Sequence, residues 1–149
     1  MSVILNEIIL SILPISELRG GIPYAIGFGL NPILAYLFGV LGNFLVIPIC
    51  FFFLDYLHKY FLKVKIYSKI FNKYICINRK KLEKYVGSKT EFWALVLIVA
   101  IPLPFTGAYT GSILAWFFGL KRRKSYLAIV LGILIAGLIV SLASFGLFR

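Results

Sequence analysis

Four apolar stretches make up most of the chain, and they are of two kinds. Residues 32–57 (PILAYLFGVLGNFLVIPICFFFLDYL) and 125–148 (SYLAIVLGILIAGLIVSLASFGLF) run unbroken, with Asp55 near one end as the only acid in either. Each exceeds the roughly 20 residues of helix that cross a hydrocarbon core of about 30 Å, so each predicts a transmembrane helix. Residues 3–30 and 92–120 are equally apolar but are interrupted, the first by SELRGGIP and the second by PLPFTGAYTG. Their halves hold about 12–15 residues, or roughly 18–22 Å of helix. That passes the bilayer centre and does not cross it.

Prolines withdraw a helix donor and crowd the preceding turn, and Gly20-Gly21 admits backbone that other residues resist. A segment that dips in, turns and returns to its own side fits both facts, so residues 1–30 and 92–120 are expected to be re-entrant hairpins. Lipid offers irregular backbone no hydrogen bonds, and the two tips are therefore expected to meet each other. Gly107, Gly111, Ala115 and Gly119 recur every four residues on the outgoing limb of the second hairpin, as do Ala128, Gly132 and Ala136 on the last span. Such stripes read as close helix packing.

Charge sets the topology. Of the 16 lysines and arginines, about ten fall in residues 58–91 and four form KRRK at 121–124. Placing both blocks in the cytoplasm makes the second hairpin begin and end inside. The spans then run in opposite senses, and the first hairpin begins and ends outside. The expected fold is an all-α integral membrane domain covering residues 1–149: an inverted repeat of re-entrant hairpin plus transmembrane helix, both termini outside. Each hairpin ends in Phe-Gly-Leu (28–30 and 118–120), and each span opens with Ala-x-x-x-Gly (Ala35/Gly39 and Ala128/Gly132). Between the repeats, Lys65, Lys69 and Lys73 alternate with Ile66, Ile70, Phe71 and Tyr74, the pattern of a basic amphipathic helix on an anionic membrane surface. It serves as a cytoplasmic anchor or as a lipid-headgroup site.

Composition agrees with a multi-pass protein of the cell membrane: 61% of residues are hydrophobic and 14% charged, against about 25% charged in soluble domains. The net charge of +11 lies in blocks beside apolar segments, which disfavours nucleic acid as a partner. The opening MSVILNE lacks a positive n-region and a small-residue cleavage site, so it reads as part of the first hairpin. Cys50 and Cys76 form no disulfide framework or metal spacing. The sequence carries no phosphate loop, catalytic triad or nucleotide fingerprint. No enzyme, cofactor or metal is expected, and four short membrane elements make a thin bundle compatible with a homodimer.

The chemistry concentrates at the tips. Ionisable groups inside a membrane are functional hypotheses by default. Glu17 can take and release a proton, and Arg19 can receive an anionic group in bidentate fashion; a static ion pair holding the hairpin shut is the alternative. Pro23 suits the first turn of the returning limb after Gly20-Gly21. In the second hairpin Pro102 and Pro104 stop the incoming limb and Thr106 is placed to cap the outgoing one. Both outgoing limbs then start near mid-membrane with their positive ends inward, the architecture of many secondary-transporter sites. Gly107, Tyr109 and Thr110 complete the second tip. Asn43 lies mid-span, fit for an interhelical hydrogen bond or a substrate contact. Asp55 and His58 fall at the expected membrane edge, and Glu7 faces cavity or solvent.

ELRGGIP (17–23) with IPLPFTGAYTG (101–111) resembles the small multidrug export family of prokaryotic membrane proteins, over nearly the whole chain. That family in turn resembles the DedA superfamily, whose paired re-entrant hairpins occur in proton-linked transporters, polyprenyl-phosphate flippases and lipid scramblases. The resemblance implies that Glu17 and Arg19 are the functional acid and base of the first hairpin. The chain departs from DedA in the second, where FTGAYTGS has no arginine. The expected function is transport, as a proton-coupled exporter or flippase of a small amphipathic or anionic lipid-like substrate. The partners are then protons and membrane lipids. Energy-independent scrambling and a non-transporting assembly role are the alternatives.

Overall fold

Pro14 ends the first helix. It has no N–H for the Leu10 carbonyl, and the Ser16 hydroxyl donates to that carbonyl instead. In the computed structural model, which describes residues 2–82, 90–103 and 106–148 (side chains 74, 78–82 and 148 excepted), α1 (Ser2–Ile12) turns through residues 13–16 and α2 (Glu17–Gly27) runs back along it. The break thus precedes Gly20-Gly21, where it was expected, and Glu17 takes a left-handed φ of +46°.

Both glycines lie inside α2, where smallness serves packing and not turning. A Cβ on Gly21 would collide with the Ser11 hydroxyl and stand 2.8 Å from the Glu7 carbonyl oxygen; one on Gly20 would press on Ser16. Pro23 also sits within α2 and not in its first turn.

α2 closes in a Schellman motif: Gly29 has φ +84°, its N–H donates to the Ile26 carbonyl (3.0 Å), and the Leu30 N–H donates to Ala25 (2.9 Å). Asn31 then caps α3 (Pro32–Phe52), accepting from the Ile33 N–H at 2.9 Å. The helix continues through a π-turn (Phe53–Leu57) into α4 (His58–Phe61), followed by α5 (Lys65–Leu82). α6 (Glu91–Ala100) and α7 (Ala108–Phe117) form the second helical hairpin, and α8 (Arg122–Phe148) completes the chain. All regular structure among the described residues is helical.

Two helices, Pro32–Phe61 and Arg122–Leu147, are long and apolar enough to cross a membrane. α1, α2, α6 and α7 have 10 or 11 residues each, about 15–17 Å of helix.

Of the two groups expected at a membrane edge, Asp55 is exposed and His58 is turned into the bundle. Asp55 accepts from Arg122 at 2.6 and 2.7 Å and from the Trp116 indole at 2.9 Å, and Arg122 lies 4.3 Å over the Phe51 ring. His58 is buried, its Nδ1 3.0 Å from the Tyr67 hydroxyl and its ring against Phe71 and Trp116. α5 is held there by Tyr67, Phe71 and the buried Ile75, while Lys65, Lys69, Ile66 and Ile70 are exposed. Residues 83–89 of the basic segment lie outside the described residues.

The two halves carry matched contacts. α7 ends as α2 does, with Gly119 at φ +64° donating to Trp116 and Leu120 donating to Ala115. Gly42 packs on Ser11 and the Ile8 carbonyl of α1, and Gly132 packs on Val99 and the Val96 carbonyl of α6. Burial repeats position for position between residues 41–50 and 131–140. Gly132 therefore pairs with Gly42 and not with Gly39: the Ala-x-x-x-Gly match is three residues out of register, because packing face and not residue identity sets equivalence. Of the small-residue stripe on α7, Gly111 and Ala115 pack closely, whereas Gly107 meets Glu17 and Gly119 serves the cap.

A methyl at Gly132 would stand 2.5 Å from Val99 Cβ and 3.0 Å from the Val96 carbonyl, while nothing lies within 4 Å of one at Gly146. Gly132→Ala is expected to cost about 1–3 kcal/mol by overpacking and Gly146→Ala to leave stability unchanged, as read from melting in detergent micelles.

Candidate functional site

A broken helix leaves carbonyls at the end of one limb and N–H groups at the start of the next without partners. In the second hairpin the break lies between α6 and α7, and side chains from the first hairpin reach into it from both sides.

Arg19 supplies the donors. Its guanidinium donates to the carbonyls of Leu103 and Thr106, to the Thr106 hydroxyl at 2.9 Å and to the Ile101 carbonyl at 3.4 Å. A cation thus sits among the carbonyls of the break, from the C-cap residue Ile101 of α6 to Thr106. Glu17 supplies the acceptor. The Tyr109 backbone N–H donates to its carboxylate, and a Cβ on Gly107 would collide with that carboxylate, 2.7 Å from Cδ. An anion therefore sits at the positive start of α7. Gly107 has φ +143°, so both conformation and space at this position call for glycine. Glu17 and Arg19 feel each other electrostatically, but both groups reach across to the second hairpin and do not close on one another.

Tyr109 returns the interaction. Its hydroxyl donates to the Ile12 carbonyl at 2.6 Å, capping the end of α1. Arg19 and Tyr109 each stand two residues before a packing glycine, Gly21 and Gly111, so the cross-capping is reciprocal in position. It is unequal in charge, with Glu-x-Arg on one side and Gly-x-Tyr on the other. The arginine lacking from the second hairpin is replaced by a phenol.

Thr106 departs from its expected role. Gly107 is the N-cap of α7, and the Thr106 hydroxyl turns back to the Ile101 and Leu103 carbonyls, 2.7 Å from each. Glu17, arriving from the other hairpin, already occupies the helix start. Pro102 follows the end of α6; Pro104 lies outside the described residues.

A cavity of about 300 Å³ opens between the tips, bordered by Pro14, Glu17, Arg19, Thr106, Tyr109 and Thr110. Gly20, Gly21 and Pro23 stand back from it as packing residues of α2. Asn43 approaches Glu17 and Arg19 from the other side, beside Gly107 and Ile133. Its amide is buried with neither atom partnered among the described residues, which do not supply the expected interhelical hydrogen bond. Glu7, expected at cavity or solvent, is fully buried. The carbonyls of Ile101 and Leu103 escaped sequence reasoning because backbone acceptors carry no residue signature.

A family model described as "Putative small multi-drug export protein" matches residues 17–139, a stretch that opens on Glu17 and takes in the second hairpin. No curated protein and no solved structure matches the chain.

Arg19→Gln removes charge-assisted bonds, worth about 1.5–3 kcal/mol, from several carbonyls, whereas Tyr109→Phe removes one neutral bond worth about 1 kcal/mol. Both are expected to lower the melting temperature in lipid nanodiscs, Arg19→Gln by clearly more.

Proposed function

Since the chain belongs to the small multi-drug export protein family and is a membrane protein, we propose that it moves a small amphipathic or anionic, lipid-like substrate through the site between the two hairpin tips, coupled to protons at Glu17. In this reading both hairpins are re-entrant from opposite sides, the basic segment 58–91 and KRRK lie in the cytoplasm, and the two halves form an inverted repeat with both termini outside. The matched contacts of the halves and the lengths of α1, α2, α6 and α7 support it.

One observation carries the substrate class. The Glu17 carboxylate lies where an anion is best received, on the Tyr109 N–H at the start of α7, with Arg19 beside it. It acts as a built-in stand-in for an anionic headgroup. A proton on Glu17 removes the charge that holds it at the helix start. That start, and Arg19 once drawn off its carbonyls, are then open to a headgroup from the cavity. Proton and headgroup load together, and release of both restores the cross-cap.

The donors of Arg19 that face the second hairpin all end on its backbone or on Thr106, and this also suits a second reading, a static clamp in a non-transporting assembly factor. Flux in proteoliposomes separates the two. Labelled polyprenyl phosphate, phospholipid and a cationic dye are compared with and without an imposed pH gradient. The expected result is gradient-dependent movement of the anionic lipid, lost in a folded Glu17→Gln. Movement indifferent to gradient and mutation means scrambling, and no movement of any probe favours the clamp.

A further inference from the structure

Glu7 and Ser11 stand one turn apart on α1, on the face that meets α2 and α3. Both are fully buried, and neither the carboxylate oxygens nor the hydroxyl has a hydrogen-bond partner among the described residues. Asn43, buried on α3, is unpartnered in the same way. Three glycines make room for the pair. A Cβ on Gly39 would stand 3.4 Å from Glu7 Oε1, one on Gly42 3.0 Å from Ser11 Cβ, and one on Gly21 would collide with the Ser11 hydroxyl.

The second half of the molecule is an internal control for what this packing requires. Gly111 and Gly132 both pack on Val99 as Gly21 and Gly42 both pack on Ser11. Ser11 therefore corresponds to Val99. Glu7, four residues earlier, corresponds to Leu95, and Asn43, following Gly42, to Ile133. These counterparts are buried hydrocarbon, each 1% exposed. The same helix junction is thus built once from Leu, Val and Ile and once from Glu, Ser and Asn. Packing does not ask for the polar set.

An ionised carboxylate in such a place, without a partner, costs several kcal/mol. Among the described residues no charged side chain acts on Glu7 electrostatically. α2 faces it with Gly21 and α3 with Gly39. The titratable groups of those helices are engaged elsewhere: Glu17 and Arg19 on the second hairpin, Tyr24 with Asn6 at 3.0 Å, and Tyr36 toward Gly137 and the Leu134 carbonyl on α8. Cys50 lies eleven residues beyond Gly39 on α3, about 16 Å along the helix.

We propose that Glu7 is a second proton-binding site, with the unpartnered Ser11 hydroxyl one turn away on α1. The step is the exchange of one proton between the Glu7 carboxyl and water when α1 parts from α2 and α3 at the contacts with Gly21, Gly39 and Gly42. The site does not rest on the role of Glu17, and it lies outside the stretch shared with the family, which begins at residue 17.

Infrared difference spectroscopy of the full chain in lipid, titrated with acid and base, reads protonated carboxyls by their carbonyl stretch. The expected result is such a band in Glu17→Gln, which lacks the other proton-binding carboxyl, lost when Glu7→Gln or Glu7→Leu is added to it. Glu7→Leu imports the residue of the second half and is expected to melt no lower than the wild type. Survival of the band when Glu7→Gln is added to Glu17→Gln overturns the proposal. So does its loss on adding sodium at constant pH, which assigns the site to a metal cation. Failure of both variants to fold makes the carboxyl structural and overturns it as well.

Discussion

A helix that stops short inside a bundle must find partners within the protein for the backbone groups left at its ends. The rest of this structure depends on how that demand is met. Arg19 takes up carbonyls of the break between α6 and α7, Glu17 meets the start of α7, and Tyr109 caps the end of α1. Each hairpin completes the other, so neither tip can move without releasing polar groups in both. The small residues on the helix faces follow from the same need, since Gly21, Gly42, Gly111 and Gly132 bring the limbs close enough for these side chains to reach.

The caps differ in kind, and that difference gives the site its chemistry. The Tyr109 bond is neutral, and nothing near physiological pH switches it. The Glu17 contact is charge-assisted and weakens when the carboxyl takes a proton. At the other end of α7, Trp116 shares Asp55 with Arg122, which ties that end to α3 and α8. α7 is thus anchored firmly at one end and by a titratable group at the other. A conformational change that opens the tip need not disturb the anchor.

The two spans, the two helical hairpins and the meeting of Glu17 and Arg19 with the second tip were legible in the chain, because hydrophobic length and misplaced charge are strong local signals. What stayed hidden was decided by long-range contacts. Pro14 and not Gly20-Gly21 breaks the first hairpin, since Ser16 is placed to take the Leu10 carbonyl and Gly21 is needed against α1. Thr106 does not cap α7, because a carboxylate 90 residues distant in sequence is already there. The register of the repeat was misplaced by three because Ala35/Gly39 resembles Ala128/Gly132 in letters and not in packing face. Glu7 looked ambiguous in sequence, and only comparison with Leu95 in the other half shows its polarity to be surplus to packing.

Hydrogen exchange at the Tyr109 amide tests the central claim most directly. That amide donates to Glu17, so the account predicts faster exchange at the start of α7 in Glu17→Gln, with the Asp55–Trp116 end unchanged, and protection restored by an anionic lipid headgroup. Equal protection in wild type and Glu17→Gln would contradict it, because α7 would then not depend on the first hairpin's carboxylate.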